Sequence, residues 1–207
     1  DIDLIFQKVK QFRSASKKSA TQKWADYPYR FVEIRQKVFS NVYIIPRVSS
    51  ERRPYLPFAN PPENTVVADS AYGLINPDTY VLSLLGSRLH LAWISIVCGR
   101  LKSDFRYSNT MGWNTFPVPE LTDQNKSDLT KCAEDILLAR DHYFEHTIAE
   151  LYDPDRMQKD FPELWEAHQR NDEVLETIYN GKPFKNDTER LEHLFERYVE
   201  MTSEAKG

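Results

Sequence analysis

The sequence predicts an α+β protein: a mixed strand and helix front portion followed by a small α-helical bundle. Three observations carry that expectation. Residues 30–48 alternate apolar and polar side chains and are rich in β-branched and aromatic types, the pattern of half-buried strands. Residues 76–97 and several stretches after residue 122 instead repeat apolar residues at spacings of three and four, the pattern of helices with one buried face. Between these two styles stand Pro117 and Pro119, which neither a helix interior nor a central strand accommodates. We therefore expect residues 1–23 to form a short helix and linker, residues 24–119 a mixed domain, and residues 120–207 a C-terminal helical domain.

Each element has its own warrant. In residues 30–48, Phe31, Val32, Ile34, Val38, Phe39, Val42, Tyr43, Ile44, Ile45 and Val48 predict two strands with a turn near Ser40-Asn41. Pro54, Pro57, Pro61 and Pro62 hold the next stretch as loop. Val66, Val67, Ala71 and Tyr72 fit a further strand. Asn76-Pro77-Asp78 reads as a helix start, with Asn as N-cap and Pro at the first helical position. That helix is expected to continue to about Val97, with Leu82, Leu85, Leu89, Trp93 and Ile96 on its core face, and to end at Gly99. Thr122 caps a helix with Leu129, Ala133, Ile136 and Leu137 as its stripe. Helices over about 161–179 and after Asn186-Asp187 complete the bundle, the last with Leu191, Leu194, Phe195 and Tyr198 on one face.

The net charge of −4 conceals a division along the chain. Residues 1–119 hold 16 Lys and Arg against 9 Asp and Glu, a net of +7; residues 120–207 hold 11 against 22, a net of −11. A basic front half suits an anionic partner, of which nucleic acid is the commonest. The acidic rear half would repel phosphates and suits solvent or a basic protein surface. Arg88 and His90 interrupt the longest apolar run, so no stretch reaches membrane-spanning length uninterrupted. Cys98 and Cys132 lack metal-type spacing and read as free thiols of a reducing cytoplasm. A start at Asp1 reads as a piece of a longer protein, so motifs missing here belong to the remainder.

No self-contained active site emerges. Asn60-Pro61-Pro62 matches the opening of a motif used by enzymes that methylate DNA amino groups, but Glu63 stands where an aromatic residue would stack on a flipped base. A loop with two prolines explains the triplet. His142 and His146 could share a helix face, yet Asp141 and Glu145 complete no known metal signature. We expect no catalytic residue and no metal site in this chain.

The informative stretch is Gly99 to Pro119. Arg100, Lys102, Asp104 and Arg106 alternate with Leu101 and Phe105. On an extended segment the four charged residues would form one row. Lys or Arg donates to guanine, and Asp accepts from the cytosine amino group, so such a row suits a DNA major groove. A solvated charged edge carries the same pattern. Arg47, Ser49, Ser50, Arg52, Arg53 and Arg100 are candidates for the DNA backbone, with a solvated loop as the competing reading.

Gly99-Arg100-Leu101-Lys102-Ser103-Asp104, Arg106-Tyr107-Ser108 and Asn114-Thr115-Phe116-Pro117-Val118-Pro119 resemble the end of the target-recognition domain of MmeI-like DNA methyltransferases. Val118 replaces the tryptophan usual in the last of these. The resemblance extends to Arg52-Arg53-Pro54-Tyr55-Leu56-Pro57 and to Tyr80 through Arg88. It continues through Leu151-Tyr152-Asp153-Pro154, Ala167-His168, Asp172, Tyr179 and Glu189-Arg190-Leu191 in the tail. It implies double-stranded DNA recognition in the service of adenine-N6 methylation, in a class often fused to a nuclease as type II restriction enzymes. It further implies that S-adenosylmethionine and catalysis belong to the catalytic domain of the same chain, ahead of this segment. By position, the resemblance makes Lys102 and Asp104 a pair reading one base pair, with Arg106 on a neighbouring base or phosphate. The alternative is a protein-interaction module with an acidic helical tail and no DNA role.

Overall fold

A computed structural model of the chain describes residues 1–32, 36–37 and 40–204. The strand expectations at Ile34, Val38 and Phe39 lie outside the described residues. By packing the chain divides into two compact units, residues 1–38 and 39–207.

The first unit begins with α1 (Ile2–Ser14), capped by the Asp1 carboxylate accepting from the Asp3 N–H. A short α2 (Ser19–Gln22) follows. Arg13, in the last turn of α1, donates to the carbonyls of Trp24, Tyr27 and Arg30 at 3.1, 2.8 and 2.7 Å, which stitches the returning loop to the helix. Edge-on contacts link Phe6, Tyr27, Tyr29 and Trp24.

The second unit opens with β1 (Val42–Pro46) and β2 (Val48–Ser49), and β1 pairs antiparallel with β3 (Ala71–Ile75). Asn41, just ahead of β1, has φ 48°, a left-handed turn position that asparagine tolerates. Between β1 and β3, Ala59 bridges to Ile44, and the proline-rich segment runs as loop.

The expected single helix over 76–97 is two helices, α3 (Thr79–Leu85) and α4 (Arg88–Val97), whose axes differ by 59°. The apolar spacing passes through the break, which is why periodicity misses it. The break itself is legible in Gly86-Ser87. A Cβ on Gly86 would meet Phe58 at 3.0 Å and the Leu82 carbonyl at 3.2 Å, and the Ser87 hydroxyl caps α4 by accepting from the His90 N–H at 3.1 Å. Asp78, not Asn76, is the N-cap of α3. Ile96, expected in the core, is 57% exposed. After α4 the chain forms a hairpin of β4 (Gly99–Leu101) and β5 (Asp104–Arg106), then a single π-type turn over Asn109–Trp113.

The tail carries α5 (Asp123–His142), α6 (Ile148–Leu151), α7 (Met157–Asp160), α8 (Pro162–Asn180) and α9 (Asp187–Glu204). Thr122 caps α5 as expected, in a reciprocal box with Asn125. Gly181, with φ 71°, ends α8 in the left-handed conformation that glycine adopts without penalty.

The tail does not stand apart from the front. One apolar cluster joins Tyr55, Phe58, Leu82 and Phe105 to Ile136, Tyr152, Met157 and Leu164. A second joins Leu89, Trp93 and Phe116 to Leu129, Leu175, Tyr179 and Leu194. Phe195, expected in that core, is 40% exposed and only leans on Trp93.

A polar seam runs along α8 between the two clusters. His168, Asn171, Asp172 and Glu176 are all buried, at helical spacings of three and four. The Asp172 carboxylate accepts from the Tyr55 hydroxyl (2.9 Å) and the Arg88 N–H (2.8 Å). Asn171 exchanges hydrogen bonds with Ser83, its amide donating to the Ser83 carbonyl at 3.0 Å and its oxygen accepting from the hydroxyl. Glu176 accepts from Arg190 and from the Phe184 N–H, each at 2.7 Å. His168 lies between the Tyr152 hydroxyl (2.9 Å) and the Gly86 carbonyl (3.0 Å) and stacks on Tyr55. Every buried polar group here has a partner, as burial requires.

Candidate nucleic-acid interface

The stretch from Gly99 to Arg106 is not one extended row but a β-hairpin. Leu101 pairs with Asp104, Arg100 with Phe105 and Gly99 with Arg106. β2 adds on the other side of β5, pairing Val48 with Arg106 and Ser49 with Phe105. Directly paired residues share a face of an antiparallel sheet, so this register sorts the candidates. Ser49, Phe105 and Arg100 lie on one face. Val48, Gly99, Leu101, Asp104 and Arg106 lie on the other.

The first face belongs to the fold. Phe105 is 5% exposed and Ser49 is 3% exposed. Ser49, a backbone-contact candidate from sequence, has its hydroxyl buried on this face with no hydrogen-bond partner among the described residues. Arg100 is likewise committed. Its guanidinium lies 4.9 Å above the Phe105 ring and donates to Glu51 at 2.6 Å and to the Ser103 carbonyl at 2.7 Å. It clamps the hairpin turn to the β2 side instead of joining the expected row.

Two other cationic candidates are also occupied. Arg47 donates to the Asp69 carboxylate at 2.6 Å and lies over Tyr72; its pKa is pushed up, chiefly by the Tyr72 hydroxyl and then by Asp69. Arg52 reaches both carboxylate oxygens of Asp155 in the tail, at 2.8 and 2.9 Å. That pair is mostly exposed, so it contributes little stability. The Ser50 hydroxyl accepts from the Arg52 N–H. Arg53 forms no ion pair among the described residues.

The second face is different. Lys102 and Arg106 are exposed and Asp104 half-buried, and among the described residues their side chains form no ion pair or hydrogen bond. Gly99 puts no side chain beside Arg106, and Val48 flanks it at 40% exposure. Lys102 and Ser103 are the two turn residues, and Lys102 has φ 59°. Two-residue hairpins need positive φ at the first turn position, usually from Gly, Asn or Asp. Lys-Ser carries no such signal, which is why the turn is invisible in the sequence.

Below the hairpin an aromatic floor fixes its base. His90, on α4, is fully buried beside Tyr107, Trp113 and Phe116, with Nε2 3.2 Å from the Tyr107 hydroxyl. Burial pushes its pKa down to about 3, so the ring is neutral. The π-type turn closes on α4 at Gly112, where a Cβ would meet Cys98, Ile94 and Tyr107 at 3.1–3.2 Å. The Tyr107 N–H donates to the Arg47 carbonyl at 2.8 Å, tying the end of β5 to the β1–β2 segment.

The remaining sequence candidates take structural places. His142 ends α5 and His146 lies in the loop beyond it, against Phe161, so the two do not share a helix face. Asn60-Pro61-Pro62 is loop, and the Pro62 carbonyl accepts from the Thr65 hydroxyl. In the sequence Arg88 breaks an apolar run and closes the stretch Tyr80 through Arg88. In the structure it donates to the Pro54 carbonyl and to Asp187, joining the front to α9. The charge alone offered no signal for this.

Comparison with known proteins gives a consistent result. Residues 1–120 match the family model of the MmeI target recognition domain, and residues 121–205 match that of the MmeI C-terminal domain. DNA methyltransferase A of Bacillus subtilis (strain 168) is 37% identical over 193 residues, covering 93% of this chain and 21% of that protein. Among solved structures, the type IIL restriction-modification enzyme MmeI in complex with DNA matches with a TM-score of 0.87 and 32% identity, over 98% of this chain and 26% of that one. The chain thus spans about a fifth of the one relative and a quarter of the other. It belongs to the MmeI family, carrying that family's target recognition domain followed by its C-terminal domain.

Proposed function

We propose that this chain reads the sequence of double-stranded DNA with the β4–β5 hairpin, as the recognition portion of a site-specific adenine-N6 DNA methyltransferase. The observation that carries this is the contrast in pairing. Arg47, Arg52, Arg88 and Arg100 are held by carboxylates of the protein, whereas Asp104 and Arg106 share the outer face of the hairpin and Lys102 stands at its turn, all three with no partner among the described residues. A two-stranded ribbon is one of the two elements a major groove admits. Lys102 at the tip would donate to guanine O6 or N7, Asp104 would accept from the paired cytosine N4, and Arg106 would reach a neighbouring base or phosphate. Arg53 and Ser50 are left as backbone contacts. The family and the DNA complex of MmeI support the reading.

Catalysis and S-adenosylmethionine belong, in this proposal, to a catalytic domain of the same protein. The six glycines of this chain stand singly, at least thirteen residues apart, and none forms the glycine-rich strand-to-helix turn that cradles such a cofactor. The residues present do not fit the group, and no step is derived through it. The recognition portion would fix register while a target adenine is flipped elsewhere. The protein would work in the cytoplasm, where its two thiols stay reduced.

The test exchanges the chemistry of the pair. Lys102→Glu combined with Asp104→Arg should favour the flipped base pair at one position of the site. Selection from a randomised duplex pool should show a change of about tenfold to a hundredfold there, since one good base contact is worth about 1–3 kcal/mol. Preference at the other positions should hold. A uniform loss of binding on every sequence would mean that these side chains touch phosphate or solvent.

A further inference from the structure

Most of the front half's basic charge lies, along the chain, in the first unit and not in the segment that carries the recognition hairpin. Of its net +7, residues 1–38 carry 9 Lys and Arg against 4 Asp and Glu, a net of +5 in 38 residues; residues 39–119 carry 7 against 5, a net of +2. Pairing widens the difference. In the described part of residues 39–119 only Arg53, Lys102 and Arg106 are free of ion pairs, and two of those are assigned to bases. A protein making about six to ten phosphate contacts loses about 10³–10⁵ in affinity between 50 and 200 mM salt. Arg53 is the one cation of this portion left for such contacts among the described residues.

Two cations of the first unit hold its own fold: Arg13 through three carbonyls and Lys10 through Asp26 at 2.8 Å. Lys8 on α1, Lys17 and Lys18 in the α1–α2 connection, and Lys23 after α2 are exposed, and their ammonium groups have no partner among the described residues. Lysine acts on phosphate as a point charge and needs no fixed fork geometry. Four exposed ammonium groups on a scaffold stapled by Arg13 thus have no internal use among the described residues.

We propose that Lys8, Lys17, Lys18 and Lys23 of the first unit bind the phosphates of double-stranded DNA. The inference rests on the reading of the chain as a DNA binder and assigns the backbone grip to a unit separate from the base-reading hairpin. These lysines carry no sequence information; they supply affinity and its salt dependence.

The experiment compares the intact chain with the variant Lys8→Gln, Lys17→Gln, Lys18→Gln, Lys23→Gln on one duplex, over 50 to 200 mM salt. Each phosphate contact contributes about 0.9 to the slope of log K against log salt. Four lost contacts should flatten the slope by about 3.6, so the intact chain should lose roughly a hundredfold more affinity than the variant across that range. Base preference and melting temperature should not move. A slope change below about 1 in a variant that melts normally would overturn the proposal and leave the recognition reading intact. An intact chain that binds no duplex at any salt would overturn both. A shift in base preference with no change of slope would make these lysines readers and also refute the assignment.

Discussion

At Lys102 the backbone takes φ 59°, a conformation that costs a non-glycine residue about 1–2 kcal/mol. The two-residue turn imposes that conformation, and no hydrogen bond of the side chain offsets its cost among the described residues. Lys102→Gly separates the backbone's contribution from the side chain's. It should stabilise the chain by about 0.5–1 kcal/mol, because glycine relieves the strain while adding some chain entropy to the unfolded state. It should also abolish the preference at one base position. Thermal melting together with a binding selection checks both, and a destabilised variant would show that the lysine is held by the fold. His168 and Asp172 make a second argument at this scale. Burial holds His90 and His168 down at about 3, and burial lifts Asp172 to about 7 against its bonds from Arg88 and Tyr55. A depressed histidine gives stability that is full above its unfolded pKa of about 6.5 and lost as pH falls below it. A raised aspartate gives stability that is full below its unfolded value of 3.8 and lost as pH rises through 7. Between pH 5 and 6 the unfolded chain therefore holds about two extra histidine protons and the folded chain about one aspartate proton. Stability should rise with pH by about 1.4 kcal/mol per unit and level off near neutrality. Asp172→Asn removes the opposing proton, so the slope over that window should roughly double. An unchanged slope in denaturant titrations would mean that Asp172 is ionised in the folded protein.

Among the elements, α8 explains most about why the tail exists. Its polar face meets α3, α4 and the segment before β3, so the helix both buries leucines and orders the backbone that leads to the hairpin. Asn171→Ala would strand the Ser83 carbonyl and hydroxyl and should cost about 2–3 kcal/mol, more than a surface change. Gly86→Ala should cost about 1–3 kcal/mol, because the added methyl has no room between Phe58 and the Leu82 carbonyl. In α9 the burial sets a contrast: Leu194→Ala should cost about 2–5 kcal/mol, and Phe195→Ala markedly less, since Leu194 is fully buried and Phe195 is 40% exposed. Equal losses at the two positions would contradict that ordering. The same elements mark what sequence alone conveys. The Thr122 cap, the α8 and α9 ranges and the strand at Val42–Pro46 follow from local chemistry and were legible. The bend at Gly86-Ser87 escapes periodicity because the stripe is continuous across it, although the Gly-Ser pair marks it, and the Lys102-Ser103 turn was hidden because neither residue is a usual turn former. The partners of Arg100 and Arg88 are distant in the chain, so no spacing rule could reveal that these cations are occupied.

For the whole molecule, two divisions of the chain compete. Similarity to the family divides it at residues 120 and 121, while packing divides it at residues 38 and 39. The second has the physical consequences. Both apolar clusters take residues from each side of residue 120, and the α8 seam leaves Tyr55, Ser83 and the Arg88 backbone without partners if the tail is removed. Those groups then lose their ordered partners to water, and the apolar halves of two clusters lose their burial, at about 25 cal/mol per Å² exposed, against a net stability of about 5–15 kcal/mol for a typical domain. A fragment ending at residue 120 should therefore lack a cooperative melting transition, although its residues match the recognition-domain family model. A fragment of residues 39–207 should keep one, because its clusters and seam remain whole. If the proposed division of labour on DNA also holds, that second fragment should retain base preference with a much shallower salt slope. Calorimetry of the two fragments decides the first point, and a cooperative transition in residues 1–120 would show that the tail is an addition to the recognition domain and not part of its core.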